Sequence, residues 1–120
     1  MNYFAIGALS GAIVVLLGAF GAHGLKDIIN DYELSVYNKA VLYHMFHTIG
    51  IFILGSLDKL YPTISFLSSG WSFLVGIILF SGSLYLLSAL HLKWFGMITP
   101  FGGVAFVVGW ILLFGKLLQT

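Results

Sequence analysis

The stretch that decides the fold is Tyr3–Ala22, YFAIGALSGAIVVLLGAFGA, twenty residues without a charged side chain. A helix rises about 1.5 Å per residue, so twenty residues cross a hydrocarbon core of roughly 30 Å. Backbone groups in lipid have no water to bond to, and this makes such a run a helix. It does not read as a secretory signal, because it lacks a positive leader and its apolar stretch is too long. Three more such runs follow, at about 40–57, 71–90 and 99–118. Their connections are short, so neighbours in sequence run antiparallel. The expectation is an all-α integral membrane four-helix bundle, one membrane domain over residues 1–120, with both termini on one side.

Composition excludes the other classes. The chain is 60% hydrophobic and 8% charged, with a mean hydropathy of +1.06, whereas a soluble domain carries about a quarter charged residues. Disorder is excluded on the same ground. Five Lys, no Arg and a net charge of +1 give no basic stripe for nucleic acid. With no Cys, disulfides and thiolate chemistry are absent. The partner that composition names is the lipid bilayer. Lys26, Lys39 and Lys93 lie on one side, and Lys59, Lys116 and the N-terminal amine on the other. That near tie sets no orientation and is compatible with dual topology.

Between the first two spans, Leu25, Ile28, Ile29, Tyr32 and Val36 recur at helical spacing, opposite Lys26, Asp27, Asn30 and Asp31. This pattern predicts a short amphipathic interfacial segment, read as a helix. Asn30 followed by Glu33 resembles a capping pair, which would start the second helix before it enters lipid. Thr99-Pro100 reads as an N-cap with Pro at the first helical position of the fourth span. Such an end could face an anion such as a lipid phosphate.

Small residues form stripes: Gly7, Gly11, Gly18 and Ala22 on the first helix, Ser72, Gly76 and Ser83 on the third, and Gly102, Ala105 and Gly109 on the fourth. In lipid, close approach through small residues drives helix packing. The stripes predict helix contacts within the chain, or with further copies in a homo-oligomer or larger membrane complex.

Chemistry, if any, rests on the histidines. His23 ends the first span, His91 ends the third, and His44 and His47 lie one to two turns inside the second. All four are expected in one half of the bundle, with Tyr43, Tyr85, Ser81, Ser83 and Thr99 nearby. His23, Tyr43, His44, His47, Ser81, Ser83, His91 and Thr99 form the candidate ligand-binding set. His44 and His47 share a helical face, a spacing compatible with a metal, but hydrogen bonding to neighbouring helices explains them as well. A Ser–His nucleophile pair lacks an intramembrane carboxylate to orient it. No Asp, Glu, Lys or Arg lies inside a span, unlike ion-coupled carriers. No catalytic residue and no cofactor are assigned.

The motifs Gly18-Ala19-Phe20-Gly21-Ala22-His23-Gly24-Leu25, Tyr43-His44-x-x-His47, Leu79-Phe80-Ser81-Gly82-Ser83-Leu84-Tyr85, Ile98-Thr99-Pro100-x-Gly102-Gly103 and Gly109-Trp110 resemble the domain-of-unknown-function family four-two-three. The resemblance covers essentially the whole chain. It implies four membrane helices in a bacterial plasma membrane and no assigned activity. The expected function is therefore a multi-pass structural or accessory protein packing through its glycines. The alternative is a small channel, carrier or lipid-binding protein using a histidine-lined polar seam.

Overall fold

A computed structural model describes all residues, 1–120. Every element is helical. α1 spans Tyr3–His23 and α2 Asp31–Leu60; α3 is Leu67–Gly76, followed by a π-helical segment Ile77–Ser81 and α4, Gly82–Ala89. A 3-10 turn, Lys93–Met97, leads into α5, Thr99–Leu117. α3, the π segment and α4 form one span, and four helices are long and apolar enough to cross a membrane.

Capping at Asn30 fixes where α2 starts. The Asn30 side chain accepts from the Glu33 N–H at 2.8 Å, and Glu33 accepts from the Asn30 N–H at 3.4 Å. This is the expected reciprocal box. It makes α2 thirty residues long, about 45 Å, so its first turns stand outside the hydrocarbon. His44 and His47 sit near the middle of α2, and His44 reaches Ser10 in the middle third of the 21-residue α1, deeper than one to two turns inside a span.

The segment expected as a separate amphipathic helix is instead a run of turns over 24–29 followed by the first turns of α2. The Asn30 backbone is extended (ψ 171°), and a helix cannot run through such a residue. Leu25, Ile29 and Val36 are buried as their spacing predicted, while Ile28 and Tyr32 remain exposed.

Thr99 is not an N-cap. The cap position belongs to Ile98 and has no side-chain bond, because the 3-10 turn runs directly into α5. The Phe101 and Gly102 N–H groups both turn to the Ile98 carbonyl, and Pro100 has no N–H. The anion-facing end read from Thr99-Pro100 is thus largely closed. Before it, His91 has left-handed backbone (φ 56°), which a glycine would adopt more easily.

Glycines set the packing order. α1 lies antiparallel on α2, with a Gly7 Cβ position 2.9 Å from the Phe52 ring and Gly21 facing Tyr37. α5 lies on the third span: Gly76 receives Phe106, Gly109 receives Phe73, and Gly102 meets the Phe80 backbone. A Cβ on Gly102 would fall 2.2 Å from the Phe80 nitrogen, so no other residue fits against the π segment there. Gly11 and Gly18 meet α2 more loosely, at 3.9 Å from Thr48 and 3.6 Å from Val41. Ala22, expected on the α1 stripe, is exposed.

Two apolar clusters cap the bundle. Tyr3, Ile51, Leu54, Phe66, Phe73 and Leu113 form one; Leu25, Ile29 and Tyr37 form the other at the opposite end. Polar side chains lie between them. The outer surface carries large apolar residues such as Leu16, Ile78, Val104 and Phe114, all above 60% exposed. Water does not tolerate such a surface over a whole molecule, and lipid does.

Candidate functional site

His44 and His47 carry the polar layer, and both are buried, at 4% and 3% exposure. They face different neighbours. His44 turns toward α1 and α4: Nε2 is 3.0 Å from Ser10 Oγ, and Nδ1 is 3.0 Å from Tyr85 Oη. Ser10 Oγ is also 2.6 Å from Thr48 Oγ1. Thr48, one turn further along α2, donates to the His44 carbonyl at 2.9 Å.

Counting hydrogens gives this chain a direction. Each hydroxyl has one hydrogen, and that of Thr48 goes to the His44 carbonyl. Ser10 therefore donates to Thr48, His44 donates through Nε2–H to Ser10, and Tyr85 donates to Nδ1. The reverse order would leave the Tyr85 hydrogen without an acceptor. His44 is thus assigned as the neutral Nε2–H tautomer. The polarity opposes nucleophilic chemistry: the Ser10 hydrogen points to Thr48, so His44 is not placed to remove it.

His47 turns toward α5. Its Nδ1–H donates to the Tyr43 carbonyl at 2.8 Å, and its Nε2 accepts from Trp110 Nε1–H at 3.0 Å. Its ring stacks on Phe106 with centroids 3.4 Å apart and planes at 6°. This is the opposite tautomer, and it leaves neither nitrogen free.

The remaining expected residues disperse. His23 is exposed at the end of α1, and His91 is exposed and paired with Glu33 at 2.5 Å. The one-half clustering of four histidines is therefore corrected: two lie at mid-depth and two at the rim. No group of three or more His, Asp or Glu side chains converges, which removes the geometric basis for a zinc site. Ser81, fully buried in the π segment, donates to the Ala40 carbonyl at 2.8 Å and ties the third span to α2. Ser83 donates to the Phe80 carbonyl at 2.9 Å, and Thr99 lies 2.6 Å from Ser83 Oγ, joining α4 to α5. Tyr43 is 41% exposed and contributes its carbonyl, not its phenol. Ser10, Thr48 and Trp110 stood outside the candidate set, as did Tyr85 beyond its depth. Ser10 carried a readable signal, being with Tyr3 one of two hydroxyl residues in Tyr3–Ala22.

Two hollows reach the polar layer from the lipid side. One, of about 430 Å³, has His44, Ser83 and Tyr85 among apolar residues including Ile77, Ile78 and Ile98. The other, of about 210 Å³, lies between α1 and the third span and is lined by Ser10 and His44 with Leu9, Ile13, Ile77 and Ile78. His44, Ile77 and Ile78 belong to both. The arrangement can hold an apolar chain and offer hydrogen-bonding atoms at mid-depth.

Against known proteins, a family model described as "Protein of unknown function (DUF423)" matches residues 17–103. The chain is 46% identical over 112 residues to the UPF0382 membrane protein YwdK of Bacillus subtilis, covering 92% of this chain and 91% of that one. A UPF0382 membrane protein of Staphylococcus aureus is 45% identical, with 92% and 90% covered. One of Staphylococcus epidermidis is 40% identical with the same coverage. No solved structure matches.

Proposed function

The chain belongs to the DUF423 family of multi-pass bacterial membrane proteins of unknown function, and on that premise we propose that it binds a hydrophobic molecule with a polar group, taken up sideways from the bilayer. The observation that carries this reading is the His44–Tyr85–Ser10 chain at mid-depth, which lines two lipid-facing hollows. Polar groups are costly at that depth and commonly mark function in membrane helices. Pockets of several hundred Å³ with a few polar groups in apolar walls are the usual form of small-ligand sites.

An accessory role that packs against a second copy or a larger complex through the glycine stripes needs those glycines open to other chains. Gly7, Gly76, Gly102 and Gly109 are instead filled by Phe52, Phe106, Phe80 and Phe73 of this chain, so they lend no support to a homo-oligomer or larger complex. Gly115, with nothing within 4 Å, keeps one small-residue contact open on α5.

The test is lipid analysis of protein purified without detergent, in native-membrane discs. Ile78 lines both hollows yet is 67% exposed, so Ile78→Trp should fill them without disturbing the core. An amphiphile enriched with the wild type and depleted with Ile78→Trp is expected. Identical lipid profiles for the two proteins would overturn the reading.

A further inference from the structure

We infer that these hollows select a neutral, single-chain lipid headed by a hydroxyl group. The inference rests on the binding reading above and names the chemistry of its ligand.

The hydrogen-bond donors at both hollows are already committed. At the larger hollow the Tyr85 hydroxyl is committed to His44 Nδ1, and the Ser83 hydroxyl to the Phe80 carbonyl at 2.9 Å. At the smaller one, His44 Nε2–H is committed to Ser10 and the Ser10 hydroxyl to Thr48. Backbone donors are also taken: Gly82 N–H goes to the Ile77 carbonyl, Phe95 to Leu92 and Ile98 to Phe95. Lone pairs remain. A hydroxyl oxygen has two acceptor positions, so Tyr85 Oη keeps capacity to accept, and Ser83 Oγ keeps one position beside the one that takes the Thr99 hydrogen. The polar lining thus offers acceptors and no free donor.

A ligand that can only accept gains nothing from such a lining. An aldehyde, ketone or ether oxygen would face lone pairs, or would take the Tyr85 hydrogen and leave His44 Nδ1 bare in a buried site. An alcohol supplies the missing hydrogen. Charged heads are disfavoured on separate grounds, because Ser10, which His44 bonds, lies in the middle third of the single-span helix α1, where a charge is expensive. Volumes of about 430 and 210 Å³ suit one chain better than a two-chain phospholipid.

The probe is a diazirine-bearing geranylgeraniol, crosslinked to wild-type protein in lipid discs and mapped by peptide mass spectrometry. Unlabelled geranylgeraniol, its methyl ether and geranylgeranial compete. Labelling is expected on 77–86, with the alcohol competing about tenfold or more better than the ether or aldehyde, the scale of one unsatisfied buried polar group. Equal competition by all three would overturn the hydroxyl selection and leave the binding site standing. Labelling spread over the lipid-facing surface, unchanged by Ile78→Trp, would overturn both. Tyr85→Phe provides a second arm. It removes one acceptor but uncovers another, His44 Nδ1, so the preference for alcohol should persist. A switch of preference to the aldehyde in either protein would show a free donor and overturn the inference.

Discussion

His44 and His47 stand three residues apart on one helix, and they do opposite things. His44 is held by hydroxyls from α1, α2 and α4 and borders two hollows. His47 is sealed between Phe106 and Trp110 of α5. About 300° of helical rotation separates them, equivalent to 60° the other way, and α2 lies between two packing partners. A small angular step therefore places one ring in the seam facing α1 and α4 and the other in the seam facing α5. The spacing that suggests a shared metal also suits two separate structural roles, and which applies depends on where the neighbouring helices sit.

The difference can be broken most forcefully at α5. Gly102→Val would drive a side chain into the Phe80 backbone and should cost about 3 kcal/mol or more. It removes the partners of His47 while leaving the α1–α2 contacts of His44 in place. Thermal unfolding in detergent, followed by Trp110 fluorescence, should show early loss of α5; an unchanged midpoint would refute the packing. Next in size is His47→Phe, which strands the Trp110 N–H and should destabilise by about 1–3 kcal/mol without altering crosslinking at 77–86. Loss of crosslinking in a folded His47→Phe protein would erase the distinction between the two histidines.

Ser10→Ala sharpens the His44 side. It removes the acceptor of Nε2–H and should cost about 1–2 kcal/mol in the same melts. Nitrogen NMR of labelled wild-type protein checks the premise directly: two neutral histidines of opposite tautomer are expected, and Ser10→Ala should perturb only one. Two identical tautomers would contradict the hydrogen count. The smallest effect belongs to Tyr37→Phe, which removes the 2.5 Å bond to the Leu17 carbonyl. About 0.6 kcal/mol is expected, the usual worth of a hydrogen bond between membrane helices, read as a slightly lower midpoint.

Hydropathy made the four spans legible, since the lipid condition acts on every residue of a run at once. The Asn30–Glu33 box was legible because its partners are close in sequence. Thr99 does not cap α5 because the 3-10 turn continues into the helix, and its hydroxyl pairs with Ser83, sixteen residues away and invisible to a local rule. The same limit hid the site. His44 and His47 stand out in an apolar sequence, but their partners Ser10, Tyr85 and Trp110 are 34 to 63 residues distant. Their pairing depends on the register in which the helices dock. That register comes from glycine positions against aromatic rings, such as Gly76 against Phe106, which no single-helix pattern encodes.

The π segment at Ile77–Ser81 has a consequence for the chain as a text that can be edited. One surplus residue in a helix acts as a phase shift, turning everything beyond it by about 100° relative to an uninterrupted spiral. Ser83 faces Thr99 and Tyr85 faces His44 only with that shift in place. Deleting Ile78 would restore an ordinary helix, leave hydropathy and span length almost unchanged, and swing Tyr85 away from His44. The third span is thus tuned by the number of its residues as well as by their kinds.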